Sequence, residues 1–155
     1  MVKNKALFLD RDGTINIDYG YVGSVDKFEF IDGIFDFCQT AQSLGYKIIV
    51  ITNQSGIARG YYTVDDYNRV TKYMCDEFLK HGIKITDVLY CPELSGPNRK
   101  PAPGLFIIAR DKHNIDMTKS MSVGDKERDL EAARTAGVLK NFLFENNYKE
   151  LSRKL

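Results

Sequence analysis

The sequence predicts an α/β fold: a three-layer sandwich with helices on both faces of a parallel sheet. Three observations predict it. Short apolar, β-branched runs alternate with segments whose apolar residues recur at helical spacing. The runs are apolar on consecutive rather than alternate positions, as strands buried on both faces require. Each run then stops at polar residues, which gathers reactive side chains along one edge of the sheet. Strand order does not follow from the spacing.

The first strand is Leu7-Phe8-Leu9, which runs straight into Asp10-Arg11-Asp12-Gly13. An irregular segment, Ile17 to Ser24, follows, and Phe28-Glu29-Phe30 alternates as a small extended piece would. Ile34, Phe35, Phe37, Cys38, Ala41 and Leu44 mark an amphipathic helix that Gly45 caps. Lys47 to Ile51 is the second strand, ending in the polar loop Thr52-Asn53-Gln54-Ser55-Gly56. Thr63 is placed to N-cap the next helix, with Asp65 and Asp66 in its first turn. Val64, Tyr67, Val70, Met74 and Phe78 form the buried stripe of that helix, and Gly82 ends it. Asp87 to Tyr90 gives a third strand, and the loop from Cys91 to Pro103 holds all four prolines. A helix with Leu105, Phe106, Ile108 and Ala109 inward comes next, then a strand at Ser120–Val123 closed by Gly124-Asp125. Glu127 to Ala136 is helical, Gly137 stops it, and Asn141 to Phe144 is the fifth strand before a charged tail.

Composition narrows the function. Lys plus Arg number 22 against 21 acids, a formal charge of +1, so no field of one sign exists to capture nucleic acid or an anionic membrane. No stretch approaches the roughly 20 apolar residues of a membrane span, and Met1 to Lys5 leads into a short strand rather than a signal-peptide core. Three cysteines, Cys38, Cys75 and Cys91, cannot all pair within the chain, which fits a reduced, cytoplasmic setting. With 155 residues the chain suits one domain, 1–155, and the binding partner expected is a small molecule.

The strand ends supply Asp10, Asp12, Thr52 and Asp125, and the proline-rich loop supplies Lys100. Two acids two residues apart repel each other, and a divalent cation or a retained proton would relieve that. One carboxylate can attack phosphorus, while a second protonates the departing oxygen and then deprotonates water. Mg²⁺ suits oxygen ligands, and a lysine with a hydroxyl can hold phosphoryl oxygens. Taken singly, Thr52 reads as a turn residue and Lys100 as a loop charge. Arg11 reads as a surface partner for an acid, and Asp129 as either a helper of the metal site or a helix-end charge. His81 and His113 lie near helix ends and suit capping or solvent.

Four segments together carry a resemblance: Asp10-Arg11-Asp12-Gly13-Thr14-Ile15-Asn16, Thr52 to Gly60, Arg99-Lys100-Pro101-Ala102-Pro103-Gly104, and Val123-Gly124-Asp125-Lys126. In this order they resemble the four motifs of the haloacid dehalogenase-like phosphatases, from about Leu7 to Gly137. More narrowly, they are similar to the branch that holds the heptose bisphosphate phosphatases and the histidinol-phosphate phosphatases. The resemblance implies a Rossmann-like sandwich, with Asp10 as nucleophile and Asp12 as general acid and base. It implies Mg²⁺ held by Asp10, the backbone carbonyl of Asp12 and Asp125, with Thr52 and Lys100 steadying the phosphoryl group. Asp18, Tyr19, Gly20, Tyr21, Asn53, Ser55 and Arg99 match positions that contact substrate in the heptose bisphosphate enzymes, and Lys126 falls beside the metal site.

Many members of this branch carry a structural zinc on a Cys-x-His pair and a Cys-x-Cys pair. Here Glu93 takes the place of the histidine, and no cysteine follows Cys91, so no zinc is expected. The intervals between motifs are too short for the cap domain common in the wider superfamily. Selection among substrates then falls to residues 18–24, 53–62 and 91–100. Arg99 can clasp a phosphate through two hydrogen bonds, which favours a sugar bisphosphate, D-glycero-D-manno-heptose 1,7-bisphosphate, and the resemblance implies that the phosphate on carbon 7 is the one cleaved. That would feed heptose activation for lipopolysaccharide, surface-layer or capsule sugars. A histidinol-phosphate phosphatase is the alternative within the class, and a phospho-receiver signalling domain the alternative outside it. Asp12, a base two residues past the nucleophile, favours the enzyme over the receiver. Nothing in the chain points to an obligate dimer, so a monomer is expected.

Overall fold

The computed structural model describes residues 2–155, so Met1, the first residue of the expected domain, lies outside the described residues. Five strands form one parallel sheet: β1 (Lys5–Leu9), β2 (Tyr46–Asn53), β3 (Ile85–Cys91), β4 (Met121–Gly124) and β5 (Lys140–Leu143). Their order is β3-β2-β1-β4-β5. Five helices connect and flank them: α1 (Ile34–Ser43), α2 (Val64–Lys80), α3 (Gly104–His113), α4 (Glu127–Thr135) and α5 (Tyr148–Ser152). The chain builds outward from β1 through β2 to β3, then crosses back to β4 on the other side of β1. The direction of winding therefore reverses between β1 and β4, and a parallel sheet opens a crevice beyond its carboxyl ends at such a point.

β1 shows why the centre of the sheet is apolar at consecutive positions. Leu7 and Leu9 pack into the layer formed by α1, α2 and α5, while Ala6 and Phe8 pack into the layer formed by α3 and α4. Each of the four is at most 1% exposed. Burial of a side chain such as Phe8 contributes about 1.5–3 kcal/mol, so a polar residue here would be expensive. Phe8 also meets Phe106 of α3 edge to face, with centroids 5.1 Å apart.

Several expected boundaries shift. β2 continues through Thr52 and Asn53, because its ladder with β3 runs on to Tyr90 and Cys91 after the apolar run has ended. Phe30 bridges Asn16 in antiparallel fashion, and the Ile17 amide donates to the Glu29 carbonyl, which accounts for the extended piece. The Thr63 cap is present as a full capping box with Asp66. Leu44, Val64 and Ile108, expected inside, are exposed. Leu44 is the C-cap of α1 and Val64 the first residue of α2, so both lie at helix ends, while α3 buries Leu105, Phe106 and Ala109 in place of Ile108. The charged tail contains α5, whose Tyr148 and Leu151 are buried and whose Tyr148 hydroxyl donates to the Thr14 carbonyl. No helix among the described residues is long and apolar enough to cross a membrane.

Candidate active site

The crevice predicted by the topology is a cleft of about 410 Å³ at the carboxyl edge of the sheet. That size suits a small molecule. Asp10 follows β1 directly, and its amide donates to the Val123 carbonyl of β4, so the strand pairing itself sets its position. Asp125 follows β4. Gly13 makes their approach possible: its φ is +88°, and a Cβ there would lie 2.1 Å from Asp125 Oδ2. One oxygen from each of Asp10, Asp125 and Asp129 lies within 4.8 Å of the others.

Lys100 reaches this cluster from its loop and is 2% exposed. Its Nζ donates to Asp10 Oδ1 at 2.9 Å and to the Ile51 carbonyl at 2.7 Å, and it lies 2.8 Å from Asp129 Oδ1. Asp129 Oδ2 accepts from the Lys126 amide at the start of α4. Asp129 is therefore committed on both oxygens, and the Asp10 and Asp125 carboxyls lie side by side. Burial pushes the Asp10 carboxyl well above the usual carboxylate range. Lys100 pulls it back, but Asp129 and Asp125 add to the rise. Burial also raises Asp125. On Lys100 burial opposes the charge, yet Asp10 and Asp129 overcome it and hold the ammonium above its ordinary pKa. An acidic cluster so under-compensated, built only of oxygen donors, fits a hard divalent cation such as Mg²⁺.

Asp12 stands apart from the cluster. Its Oδ1 accepts from Arg11 Nη2 at 2.9 Å, from Arg11 Nε at 3.3 Å and from Asn16 Nδ2 at 3.0 Å. Its Oδ2 accepts from Gln54 Nε2 at 2.9 Å. Arg11 is not the surface residue expected from sequence. It is fully buried, donating also to the Val22 carbonyl and lying against the Phe28 ring. A charged side chain is buried at this position because Asp12 accepts two of its hydrogen bonds.

The structure brings together most of the residues singled out from sequence. Asp10, Asp12, Asp18, Gly20, Tyr21, Asn53, Ser55, Arg99, Lys100, Asp125 and Lys126 all line the cleft. Asn53 braces the Lys100 loop from both sides, donating to the Lys100 carbonyl and accepting from the Lys100 amide. Two expected residues are placed differently. Thr52 is buried beneath the wall, its hydroxyl accepting from Gln54 Nε2. Tyr19 points away from the cleft, 56% exposed with its hydroxyl donating to Glu29. Gln54, Arg59, Tyr62, Arg128 and Asp129 also line the cleft and carried no firm assignment in sequence. The i, i+4 spacing of Asp129 from Asp125 across a helix start was the signal that could have placed it.

A family model described as Polynucleotide kinase 3 phosphatase matches residues 6–142. The D-glycero-alpha-D-manno-heptose-1,7-bisphosphate 7-phosphatase of Burkholderia mallei is 46% identical over 147 residues, which is 88% of this chain and 78% of that protein. The chain belongs to the haloacid dehalogenase-like phosphatases. Within that family, the D-glycero-beta-D-manno-heptose-1,7-bisphosphate 7-phosphatase of Helicobacter pylori is also 46% identical, over 95% of this chain and 87% of that protein. A crystal structure of D,D-heptose 1,7-bisphosphate phosphatase from B. bronchiseptica, complexed with magnesium and phosphate, superposes with a TM-score of 0.85. It is 29% identical and covers 96% of this chain and 86% of that one. The α/β architecture and the parallel sheet of this phosphatase are thus those of its relatives.

Proposed function

We propose that this phosphatase acts on a heptose 1,7-bisphosphate and removes the phosphate on carbon 7, the whole chain serving as one catalytic domain. The observation that carries the reading is the arrangement around Asp10. One carboxylate oxygen is pinned by a buried lysine, and the carboxyl lies beside that of Asp125 in the cleft. This arrangement supports the reading of Asp10 as the nucleophile. The phosphatases named above, which resemble this chain over most of its length, support the choice of sugar.

In this reading an Asp10 oxygen forms a bond to phosphorus as the bond to the sugar oxygen breaks, and Asp12 gives that oxygen its proton. Water then attacks the aspartyl-phosphate, its proton passes to Asp12, and the bond from phosphorus to Asp10 breaks. Lys100 offsets charge on the transferring group, and Thr52 acts from beneath through the loop it anchors. Mg²⁺, held by Asp10, Asp125 and the Asp12 backbone carbonyl, would supply electrostatic stabilisation of the phosphoryl oxygens. Asp18, Gly20, Tyr21, Asn53 and Ser55 form the sugar side of the cleft, and Tyr19 fixes the 18–24 loop through Glu29. Arg99, with Lys126 nearby, takes the second phosphate.

We also infer that the 91–100 loop works without zinc. Cys91, its one cysteine, is buried and donates to Glu93 Oε2 at 3.1 Å, so the thiol already has a partner. The reading further takes the enzyme as a cytoplasmic monomer acting on a small phosphorylated sugar rather than on nucleic acid or membrane. The formal charge of +1 and the confined cleft support this.

The test is phosphate release with Mg²⁺ from the two anomers of heptose 1,7-bisphosphate and from histidinol phosphate. A preference for a bisphosphate by a factor of at least about ten supports the proposal. A preference for histidinol phosphate overturns the choice of substrate. Labelling of Asp10 without release would overturn the hydrolytic role given to Asp12.

A further inference from the structure

Gln54 is buried at 2% exposure, and every polar atom of its amide is committed. Nε2 donates to Asp12 Oδ2 and to Thr52 Oγ1, each at 2.9 Å. Oε1 accepts from the Tyr62 hydroxyl. An amide has two unlike ends, and the wrong one would set Oε1 against a carboxylate oxygen. The carboxylate selects Nε2, and Tyr62, by donating to Oε1, supports that orientation. Burial raises the Tyr62 hydroxyl to about 12, so it keeps its proton throughout the working range. The ring is itself held in place by glycines: a Cβ on Gly56 would lie 2.2 Å from it, and one on Gly23 2.5 Å.

The two oxygens of Asp12 are unequal. Oδ1 takes donors from Arg11 and Asn16, both from the same turn as Asp12 itself. Oδ2 takes Gln54, and among the described residues that is its one hydrogen-bond partner. A carboxylate oxygen accepts about two hydrogen bonds, so Oδ1 is filled and Oδ2 keeps a free lone pair. Gln54 is also the clamp that comes from outside that turn, directly after β2. It thereby ties Asp12 to the edge of the sheet and not merely to its own turn.

We propose that Gln54, supported by Tyr62, is a positioning residue that presents Asp12 Oδ2 to the leaving oxygen and then to the attacking water. This rests on the acid–base role given to Asp12 above. In the first step the proton on Oδ2 goes to the sugar oxygen as its bond to phosphorus breaks. In the second a water proton returns to Oδ2 as the bond from Asp10 to phosphorus breaks. Gln54 exchanges no atom with the substrate and acts only through Asp12.

The experiment compares wild type, Gln54→Leu and Tyr62→Phe with Mg²⁺ on an alkyl phosphate and on p-nitrophenyl phosphate, the latter by rapid mixing. Losing one hydrogen bond to a charged group corresponds to about 10- to 100-fold in rate. Gln54→Leu is expected to lower kcat on the alkyl phosphate by that factor, with KM changed by less than about threefold. On p-nitrophenyl phosphate it is expected to give a burst of one p-nitrophenolate per enzyme and then slow turnover. That leaving group departs without a proton, whereas attack by water still needs the aimed base. Tyr62→Phe keeps the ring on its glycines and is expected to show the same pattern at roughly 3- to 10-fold.

A kcat for Gln54→Leu within twofold of wild type overturns the proposal. So does a KM that rises as much as kcat falls, or a burst that shrinks in step with steady-state turnover. Should Gln54→Leu fail to fold, an unchanged kcat in Tyr62→Phe overturns it equally. Asp10→Asn separates the two layers of the reading: if that variant still turns over, the aspartyl-phosphate mechanism fails and the inference fails with it.

Discussion

Lys100→Met offers the most direct measure of how the site is balanced. The Lys100 ammonium is 2% exposed and answers two carboxylates, Asp10 at 2.9 Å and Asp129 at 2.8 Å, with Asp125 alongside. Methionine keeps most of the apolar stem and removes the charge. Breaking a buried ion pair by taking one partner costs about 3–5 kcal/mol, because the other is left uncompensated. Proton uptake by Asp10, already driven by burial, limits the loss toward the lower figure. For a chain of 155 residues each kcal/mol moves Tm by about 2–4 °C, so the metal-free variant should melt roughly 10 °C below wild type. Calorimetry in EDTA and in millimolar Mg²⁺ reads this. Because the cation answers the same carboxylates, Mg²⁺ should raise the Tm of the variant by more than it raises wild type, without restoring turnover. The penalty should shrink as pH falls, because Asp10, its pKa raised by burial, then takes up a proton. A metal-free Tm within 2 °C of wild type would refute the reasoning, and so would a variant indifferent to Mg²⁺.

The remaining predictions concern the same groups. Burial raises the Asp10 carboxyl, so the folded state binds its proton more tightly than the unfolded chain does. Its contribution to stability is therefore complete below the unfolded pKa of about 3.9 and is lost as pH rises through the folded value. Asp10→Asn should abolish turnover and flatten that loss in metal-free melts recorded between pH 4 and 8; an unchanged slope would count against the burial argument. Asp12→Leu leaves the fully buried Arg11 with only the Val22 carbonyl and the Phe28 ring, and should cost about 3–5 kcal/mol by urea unfolding. Gly13→Ala places a methyl 2.1 Å from Asp125 Oδ2 on a backbone at φ +88°, and should remove Mg²⁺ binding in titration calorimetry. Arg99→Ala should lower kcat/KM for the bisphosphate at least tenfold and for p-nitrophenyl phosphate less than threefold; equal losses would take the second-phosphate role away from Arg99.

What could be read from sequence follows from where each residue is buried. β1 and β2 are central, with neighbours on both sides and helices on both faces, so their apolar runs were plain. β3 is an edge strand whose residues are mostly half-buried, and its true span, Ile85–Cys91, exceeds its apolar signature at both ends. The strand order depends on which helix crosses which face, and no local pattern encodes that. Leu44, Val64 and Ile108 misled because an apolar residue at helical spacing is not obliged to be inside. Arg11 misled in the opposite sense, and Asp129 stayed open between a metal-site and a helix-end role. Charged residues are seldom buried without partners, and theirs, Asp12 and Lys100, could be weighed only once β1, the proline-rich loop and α4 were in place. The helix in the tail was hidden among charges, its only anchors being Tyr148 and Leu151. Asp10, Asp12 and Asp125 after strands and Lys100 on the proline-rich loop could be singled out from motif spacing alone, whatever the strand order, and the structure brings all four to one cleft.

The near-neutral chain conceals a separation of charge within the cleft. At its floor three carboxylates, Asp10, Asp125 and Asp129, face one ammonium, so two formal negative charges stand where an anionic phosphate must arrive. At its rim stand Arg59, Arg99, Lys126 and Arg128. A phosphate approaching the bare floor is repelled, whereas one approaching the rim is attracted. A divalent cation held by Asp10 and Asp125 would cancel the excess and let the same phosphate reach Asp10. Metal and phosphate affinities are therefore coupled, each raising the other by the same factor. A substrate with two phosphates exploits both levels at once, one group at the neutralised floor and the other at the cationic rim. A monophosphate uses only the first. The charge layout thus favours a bisphosphate on electrostatic grounds that are independent of the identity of the sugar.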